Sequence, residues 1–338
     1  MLDRRAVLQA LAASLAVPAG SLGWAQAHKA WPQAQVNLIV PFPAGGPSAI
    51  LAKHVAQSFE RVTQQPMRLL YQNGAGGLQG ANFVAKTEAN GRHLLIGGSH
   101  LAVARALAVH DEFDWVEDLR PLALVAEVPM VLLVNPARMR ARTTMEWQAE
   151  LKRHPTRYRM ATAGIGSSSH IAAETLRLHE GVRFEMVHFR GSGPALQDLL
   201  EGSVDMMLDG VVSSLPHIQS GKLKALVVSG KQRLTVLPDV PSVQEVGIEV
   251  LDSVPWYGLF APVQLTPQQA AAMQSVFLKM EKDPVLMANL EAIGIRWGGV
   301  YGDDFQALVM QETVQWAQRV KQLGLKNMAP PHIEESGM

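Results

Sequence analysis

Short apolar runs alternate with amphipathic, helix-length segments along almost the whole chain, the pattern of an α/β protein. Residues 36–40 (Val-Asn-Leu-Ile-Val) predict a buried strand, followed by Pro41-Phe42-Pro43-Ala44-Gly45-Gly46 as a loop. A helix is predicted from about Ser48, because Ile50, Leu51, His54, Val55 and Phe59 recur at helical spacing. Residues 67–71 give the next strand, Gly74-Ala75-Gly76-Gly77 a loop, 81–86 a helix, and 93–96 a strand ending in Gly97-Gly98-Ser99. Residues 119–126 and 130–134 read as strands able to cross between two domains. The rhythm then repeats. A helix over 144–153 and a strand over 158–161 precede the loop Gly164-Ile165-Gly166-Ser167-Ser168-Ser169, which opens a helix to residue 178. A strand over 184–188 leads to Arg190-Gly191-Ser192-Gly193-Pro194 and a helix over 195–201. Strands at 204–208 and 223–228 complete a second sheet, and 256–260 is a further strand. Helices are predicted over 267–281, 284–292 and 303–323, and the polar tail from Ala329 is expected to be loose.

Each glycine or serine cluster falls after a strand and before a helix, which places it at the carboxyl end of a parallel sheet. Ligands bind there in open α/β sheets, because loop amides and helix N-termini point into the crevice. Glycine lets backbone N–H groups approach an anion closely, and each helix N-terminus adds about half a positive charge. Ser167, Ser168 and Ser192 add hydroxyl donors at helix starts. Such loops form a receptor for a carboxylate or similar small anion without arginine. Any single loop reads equally as caps and turns; their recurrence along one chain favours binding.

Composition narrows the classes. The 338 residues suffice for two domains, each with its own core, and 48% hydrophobic with 18% charged residues fits a compact protein. Lys plus Arg and Asp plus Glu both number 30, with no basic run, so nucleic acid and anionic membranes have little electrostatic support as partners. The absence of cysteine excludes disulfides, thiolate metal sites, cysteine catalysis and a lipoprotein anchor. The histidines are scattered, and neither a Gly-x-Gly-x-x-Gly after the first strand nor a phosphate-loop lysine occurs, so no metal or cofactor is expected. Ser167 with His170 three residues on invites a serine nucleophile, but Gly-x-Ser-x-Gly is missing and no nucleophile elbow precedes it; an enzyme is not expected. Trp256 and Trp316 read as core or cleft wall, and Arg190 as a ligand clamp or as the anchor of its own loop. At the N-terminus Arg4 and Arg5 precede an apolar run over 6–18, and Ala25-Gln26-Ala27 offers a signal-peptidase pattern. Residues 1–27 therefore read as an export signal, with the paired arginines compatible with either twin-arginine or ordinary secretory export. Cleavage there would remove Arg4, Arg5 and Asp3, taking the formal charge from zero to minus one.

An ordered set of motifs carries a resemblance to a known family. These are Val40-Pro41-Phe42-Pro43-Ala44-Gly45-Gly46, Gly74-Ala75-Gly76-Gly77, Ala163-Gly164-Ile165-Gly166-Ser167-Ser168-Ser169-His170, and Phe189-Arg190-Gly191-Ser192-Gly193-Pro194-Ala195. Gly202-Ser203-Val204-Asp205, Leu237-Pro238-Asp239-Val240-Pro241 and Trp256-Tyr257-Gly258-Leu259-Phe260-Ala261-Pro262 continue it. Over about residues 34–325 the chain resembles the solute-binding receptors of tripartite tricarboxylate transporters, the Bug family. The resemblance implies an α/β, two-domain clamshell of the periplasmic-binding-protein type, each domain a mostly parallel sheet flanked by helices. Domain 1 would be discontinuous, 35–130 plus 253–328, with domain 2 at 131–252. The implied function is capture of a small carboxylate in the interdomain cleft and its delivery to integral-membrane transporter subunits, by a periplasmic monomer. A ligand sensor feeding a membrane histidine kinase uses the same fold and remains the alternative; an exported serine hydrolase is the outside reading.

In the family the first loop, here residues 42–46, holds ligand oxygen through waters and backbone groups, and the loop at 164–169 closes from the other domain. Carried onto this chain, the candidate ligand-binding residues are Phe42, Pro43, Ala44, Gly45, Gly46, Ser48 and Gly76, with Ser99, Gly164, Gly166, Ser167, Ser168 and His170. Arg190, Gly191, Ser192 and Asp209 complete the set. The sequence departs from the pattern at Ala49, where an aspartate is usual, at Leu70-Tyr71-Gln72-Asn73, where Glu-Asn-Arg-Pro is usual, in a shorter Gly97-Gly98-Ser99-His100 segment, and at Gly210, where asparagine is usual. These changes are expected to cluster at the cleft and to shift specificity toward an aromatic or otherwise relatively apolar carboxylate.

Overall fold

The computed structural model describes residues 31–107, 113–248 and 251–325; the export signal predicted at 1–27 and the tail predicted from Ala329 lie outside them. Among the described residues the strands are β1 (Val36–Val40), β2 (Met67–Tyr71), β3 (His93–Gly98), β4 (Leu119–Glu127), β5 (Met130–Val134), β6 (Arg159–Thr162), β7 (Glu185–His188), β8 (Met206–Gly210), β9 (Lys224–Val228) and β10 (Trp256–Pro262). They form two five-stranded sheets, ordered β2-β1-β3-β10-β4 and β7-β6-β8-β5-β9. In each, three neighbouring strands are parallel, the fourth runs antiparallel, and a fifth closes the edge. The antiparallel strand is the one that arrives from the other half. β5 follows β4 out of the first sheet, and β10 returns to the first sheet after the second is complete. Both sheets are thus built to one plan.

Local chemistry sets the helix starts. Pro47 occupies the first turn of the helix Pro47–Thr63, where its missing N–H costs nothing. Ser167 caps Ser168–His179 by accepting a hydrogen bond from the His170 N–H at 3.2 Å. Thr266 and Gln269 form a reciprocal capping box on Pro267–Met280. Three helices escape the sequence pattern. Trp115–Asp118 has four residues, too few for a helical period to show. Ser99–Leu107 is buried on nearly every face and follows β3 with no intervening loop. Val211–Gln219 carries Pro216 in its interior, which reads as a helix breaker although the residues around it stay helical.

The largest apolar cluster runs through both sheets and includes Leu38 and Val40 on β1, together with Val131, Met207 and Val228. A second cluster lies around β10, where Trp256, Phe260 and Phe305 meet edge-on or tilted, and Trp115 stands edge-on to Phe260. Helix packing within the first half is pinned by one polar knot. The Asp283 carboxylate accepts hydrogen bonds from Ser58 Oγ at 2.7 Å and from Arg61 Nη2 at 2.6 Å, and it caps Val285 N at 3.0 Å. Burial pushes this carboxyl upward, but the Arg61, Ser58 and Val285 donors outweigh it and hold its pKa below the usual value. A carboxyl lowered by folding contributes stability above its unfolded pKa and loses it as pH falls through the folded value. Acid unfolding monitored by circular dichroism is therefore expected to weaken the protein below about pH 4, with a shallower acid limb in Asp283→Asn. Asp283→Ala is expected to cost about 3 kcal/mol in urea unfolding, since it strands Arg61 and Ser58.

Candidate functional site

Five helices begin at the facing ends of the two sheets: those starting at Pro47, Ser99, Ser168, Ser192 and Val211. Their first residues, with the loops before them, wall a cleft lined by Phe42, Gly46, Pro47, Ser48 and His100 from one half. Ala163, Ser167, Ser168, Ser169, Ser192, Leu208, Asp209 and Gly210 line it from the other, and Val128, Met130, Pro255 and Tyr257 come from the crossing strands and their approaches. The cleft encloses about 530 Å³ of empty space, part of it open to solvent. No lysine or arginine lines it. Positive potential comes instead from helix N-termini, whose first-turn N–H groups lack intrahelical partners. Five serine hydroxyls, on Ser48, Ser167, Ser168, Ser169 and Ser192, stand among these helix starts. Such a wall suits an anion that is small enough to be reached by several backbone donors at once.

The two halves touch across the cleft through glycines. A Cβ at Gly191 would meet Pro43 Cδ at 2.7 Å, and one at Gly193 would run into the Ala44 carbonyl oxygen. The α-carbon of Gly193 itself lies against the position a Gly45 Cβ would take, at 3.4 Å. Gly191 also has φ +134°, a conformation that only glycine adopts without strain. Gly76 faces the Ile165 carbonyl oxygen from the far side, where its Cβ would sit 3.1 Å away.

Asp209, His100 and His170 are among the side chains that retain buried polar atoms without a protein partner. Asp209, 1% exposed at the end of β8, accepts a 2.6 Å hydrogen bond from Ser213 Oγ on Oδ2, while Oδ1 has none. Burial raises its pKa to about 6, against the lowering influence of Ser213, Ser192 and the Gly210 backbone. His100 packs edge-on against Phe42 with ring centroids 4.9 Å apart, and its Nε2 is unpartnered. Full burial lowers its pKa to about 3, so it is neutral at physiological pH. His170 has an unpartnered Nε2 as well.

The structure sorts the sequence-predicted residues. Phe42, Gly46, Ser48, Ser167, Ser168, Ser192 and Asp209 line the cleft. Pro43, Ala44, Gly45 and Gly191 form the contact between halves beside it. Gly76 meets the opposite loop, and Gly164 (φ +120°) turns beneath the Phe189 carbonyl. Gly166 donates its N–H to His170 Nδ1 at 3.3 Å, and His170 stacks edge-on against His188 at 5.0 Å, so this histidine braces its loop. Ser99 Oγ accepts from the Trp256 N–H at 3.0 Å and ties the helix to β10. Arg190 is exposed and does not line the cleft. Ser167 Oγ donates to Gly164 O at 2.7 Å, and His170 Nδ1 is taken by Gly166, so no serine–histidine pair is set up.

The expectation that the departures from the family pattern cluster at the cleft needs correcting. Ala49 is buried in the apolar cluster and is absent from the cleft wall, and Leu70 and Tyr71 are exposed on the edge strand β2. His100 and Gly210 do line the cleft. A Cβ at Gly210 would meet Pro47 Cγ at 2.7 Å, so glycine there lets the two halves come together. Also in the cleft wall, but outside the candidate ligand-binding set, are Pro47, His100, Val128, Met130, Ala163, Ser169, Leu208, Gly210, Pro255 and Tyr257. His100 and Gly210 had a signal as departures from the family pattern, and Pro47, Ala163 and Ser169 as neighbours of the loops; Val128, Met130, Leu208, Pro255 and Tyr257 depend on sheet order. A second, mostly apolar pocket, open on one side to solvent, adjoins the first along Met130, Ser168, Leu208 and Pro255, and reaches Ile171, Leu251, Trp316 and Arg319.

Two matched sheets, joined by crossing strands and closing on a cleft of helix N-termini, define a bilobed solute-binding protein. The model of the tripartite tricarboxylate transporter family receptor matches residues 51–325, and the chain belongs to that family. It is 30% identical over 298 residues to Protein BugT of Bordetella pertussis, covering 88% of this chain and 91% of that one. Its fold matches the periplasmic binding protein BugD at a TM-score of 0.84 and 28% identity, covering 88% of this chain and 99% of the other. MatC of Rhodopseudomonas palustris with bound malate aligns at a TM-score of 0.81 and 29% identity, covering 86% and 100%.

Proposed function

We propose that this protein is a periplasmic receptor that captures a small, relatively apolar carboxylate in the cleft and delivers it to integral-membrane transporter subunits. The observation that carries the reading is the convergence of helix starts on a cleft that no lysine or arginine lines. A carboxylate fits that wall because backbone N–H groups and serine hydroxyls supply its hydrogen bonds. Family membership and the malate bound to MatC support the ligand class. The apolar faces of Phe42, Met130 and Leu208, with the mostly apolar pocket beside them, favour a ligand whose body is mostly hydrocarbon or aryl. The cleft residues named above are its ligand-binding set. We place the domain boundaries at 35–130 with 253–328 and at 131–252, a division supported by the strand order of the two sheets. No helix among the described residues is long and apolar enough to cross a membrane. The paired arginines at 4 and 5 support export, with the twin-arginine route as one form of it.

The test is a thermal-shift screen of the protein against aliphatic, aromatic and hydroxy acids, amino acids and sugars. A ligand at a hundred times its dissociation constant adds about 2.7 kcal/mol of stability, a readily measured shift. Shifts confined to carboxylates support the reading. A response to sugars alone overturns it, as does turnover of esters that Ser167→Ala abolishes.

A further inference from the structure

The cleft presents an electrostatic problem that its family role leaves open. It is built for an anion, yet the side chain in its wall that carries formal charge when ionised is an aspartate. Asp209 is 1% exposed, its Oδ1 completes no hydrogen bond with the protein although the Ser192 hydroxyl and the Gly210 backbone stand close enough to influence the carboxyl, and it lines the same cleft as the helix starts. Its other oxygen is already committed to Ser213. Two carboxylates brought together in a cleft without a cation repel one another, which favours neutralising one of them.

We infer that Asp209 takes up a proton as the cleft captures its ligand, and that the resulting carboxylic acid donates a hydrogen bond from Oδ1 to the ligand carboxylate. This rests on the carboxylate-receptor reading above. The step is balanced: ionised Asp209, a proton from solvent and a ligand carboxylate become a neutral acid hydrogen-bonded to an anion, and no covalent bond to carbon changes. A carboxyl–carboxylate hydrogen bond is of the strong, charge-assisted kind. It also satisfies the orphaned oxygen.

The surroundings of Asp209 agree. On its own strand Gly210 supplies backbone, and its β5 partner in register is Val131, which has no polar side chain. The helix from Ser192 offers a hydroxyl, and the helix from Val211 offers Ser213. From β10 it faces Tyr257, whose phenol is pushed above its usual range by burial and then by Asp209 itself. His100, from the helix Ser99–Leu107, is the other titratable side chain of the cleft wall, and burial keeps it neutral. None of these groups carries a positive charge that would hold Asp209 ionised. In the protein by itself this carboxyl already sits well above the ordinary range, and an approaching anion moves it further in that direction.

The sign of the linkage follows. Ligand binding raises the pKa of Asp209, so the complex holds more protons than the free protein over the interval between the two values. Affinity is then highest at and below the free value and falls as pH rises through that interval, by up to about tenfold per pH unit. The experiment is titration calorimetry with butyrate, benzoate, succinate and L-malate across about pH 6 to about pH 8.5, in buffers of low and high ionisation enthalpy. The expected result for whichever probes bind is proton uptake that rises above about pH 6 toward a maximum of about one proton per ligand between the free and bound values, with affinity falling as pH rises. In Asp209→Asn, uncharged and of the same shape, both the uptake and the pH slope disappear. Wild-type binding without proton uptake overturns the inference, because the ligand is then meeting an ionised aspartate through a donor of its own. An unchanged slope in Asp209→Asn overturns it too, and the wild-type measurement decides alone if that variant does not fold. Binding of none of the four acids overturns the receptor reading itself, and this inference with it.

Discussion

Gly193→Ala is expected to weaken ligand binding by between about tenfold and about a hundredfold while leaving the ligand-free protein as stable as before or slightly more so. Gly193 lies in the first turn of the helix Ser192–Glu201 and is not among the glycines with positive φ, so its own backbone tolerates alanine. Alanine is also the better helix former, by up to about 1 kcal/mol. The conflict arises only between the halves, where the new methyl group runs into the Ala44 carbonyl oxygen. That oxygen belongs to backbone held by the Gly45 turn (φ +91°) and cannot swing aside as a flexible side chain would. Overpacking of this kind costs about 1–3 kcal/mol, and the cost falls on the closed state alone. Calorimetric affinity and thermal unfolding of the same variant separate the two effects. A variant that binds as wild type would show that closure does not bring these loops together.

Phe260→Ala is expected to cost about 3–5 kcal/mol in urea unfolding, the largest stability effect of the set. Phe260 is fully buried at the centre of β10 and meets the rings of Trp115, Trp256 and Phe305 at 6.0, 6.2 and 5.5 Å. Removing it leaves a cavity among rigid aromatic neighbours that have little freedom to collapse into it. β10 is the strand by which the chain returns to the first sheet, and it also carries Tyr257 and follows Pro255 in the cleft wall. Loss of ligand affinity should therefore accompany the loss of stability. A cost below about 1 kcal/mol would show that β10 is not the keystone of that sheet.

How much of this was legible in the sequence depends on how local the signal is. The loops at 42–46, 164–169 and 190–193 announced themselves, because close backbone approach and helix starts need glycine, proline and serine at fixed offsets. Their partition was not legible. Whether a glycine lines the cleft, as Gly46 does, or permits contact between halves, as Gly191 does, depends on the docking of one sheet against the other. Tyr257 and Met130 sit on apolar strands that look like any core strand; only the strand order carries them to the cleft. Ala49 misled for the same reason. Its offset from the first loop suggests a cleft position, but helical rotation turns it into the apolar core. The helix Val211–Gln219 was hidden by Pro216, a local signal overruled by packing.

The proposal on which the rest depends is that a carboxylate is held by helix N-termini and hydroxyls in a cleft that no lysine or arginine lines. Its most direct test compares, by calorimetry, the carboxylic acid giving the largest thermal shift with its own carboxamide at the same pH. The two share shape and body and differ in charge at the end that faces the helix starts. One acid is expected to bind per protein, and the amide at least about tenfold more weakly, the difference of more than about 1 kcal/mol that charge-assisted hydrogen bonds carry over neutral ones. An amide bound as tightly as the acid would contradict it.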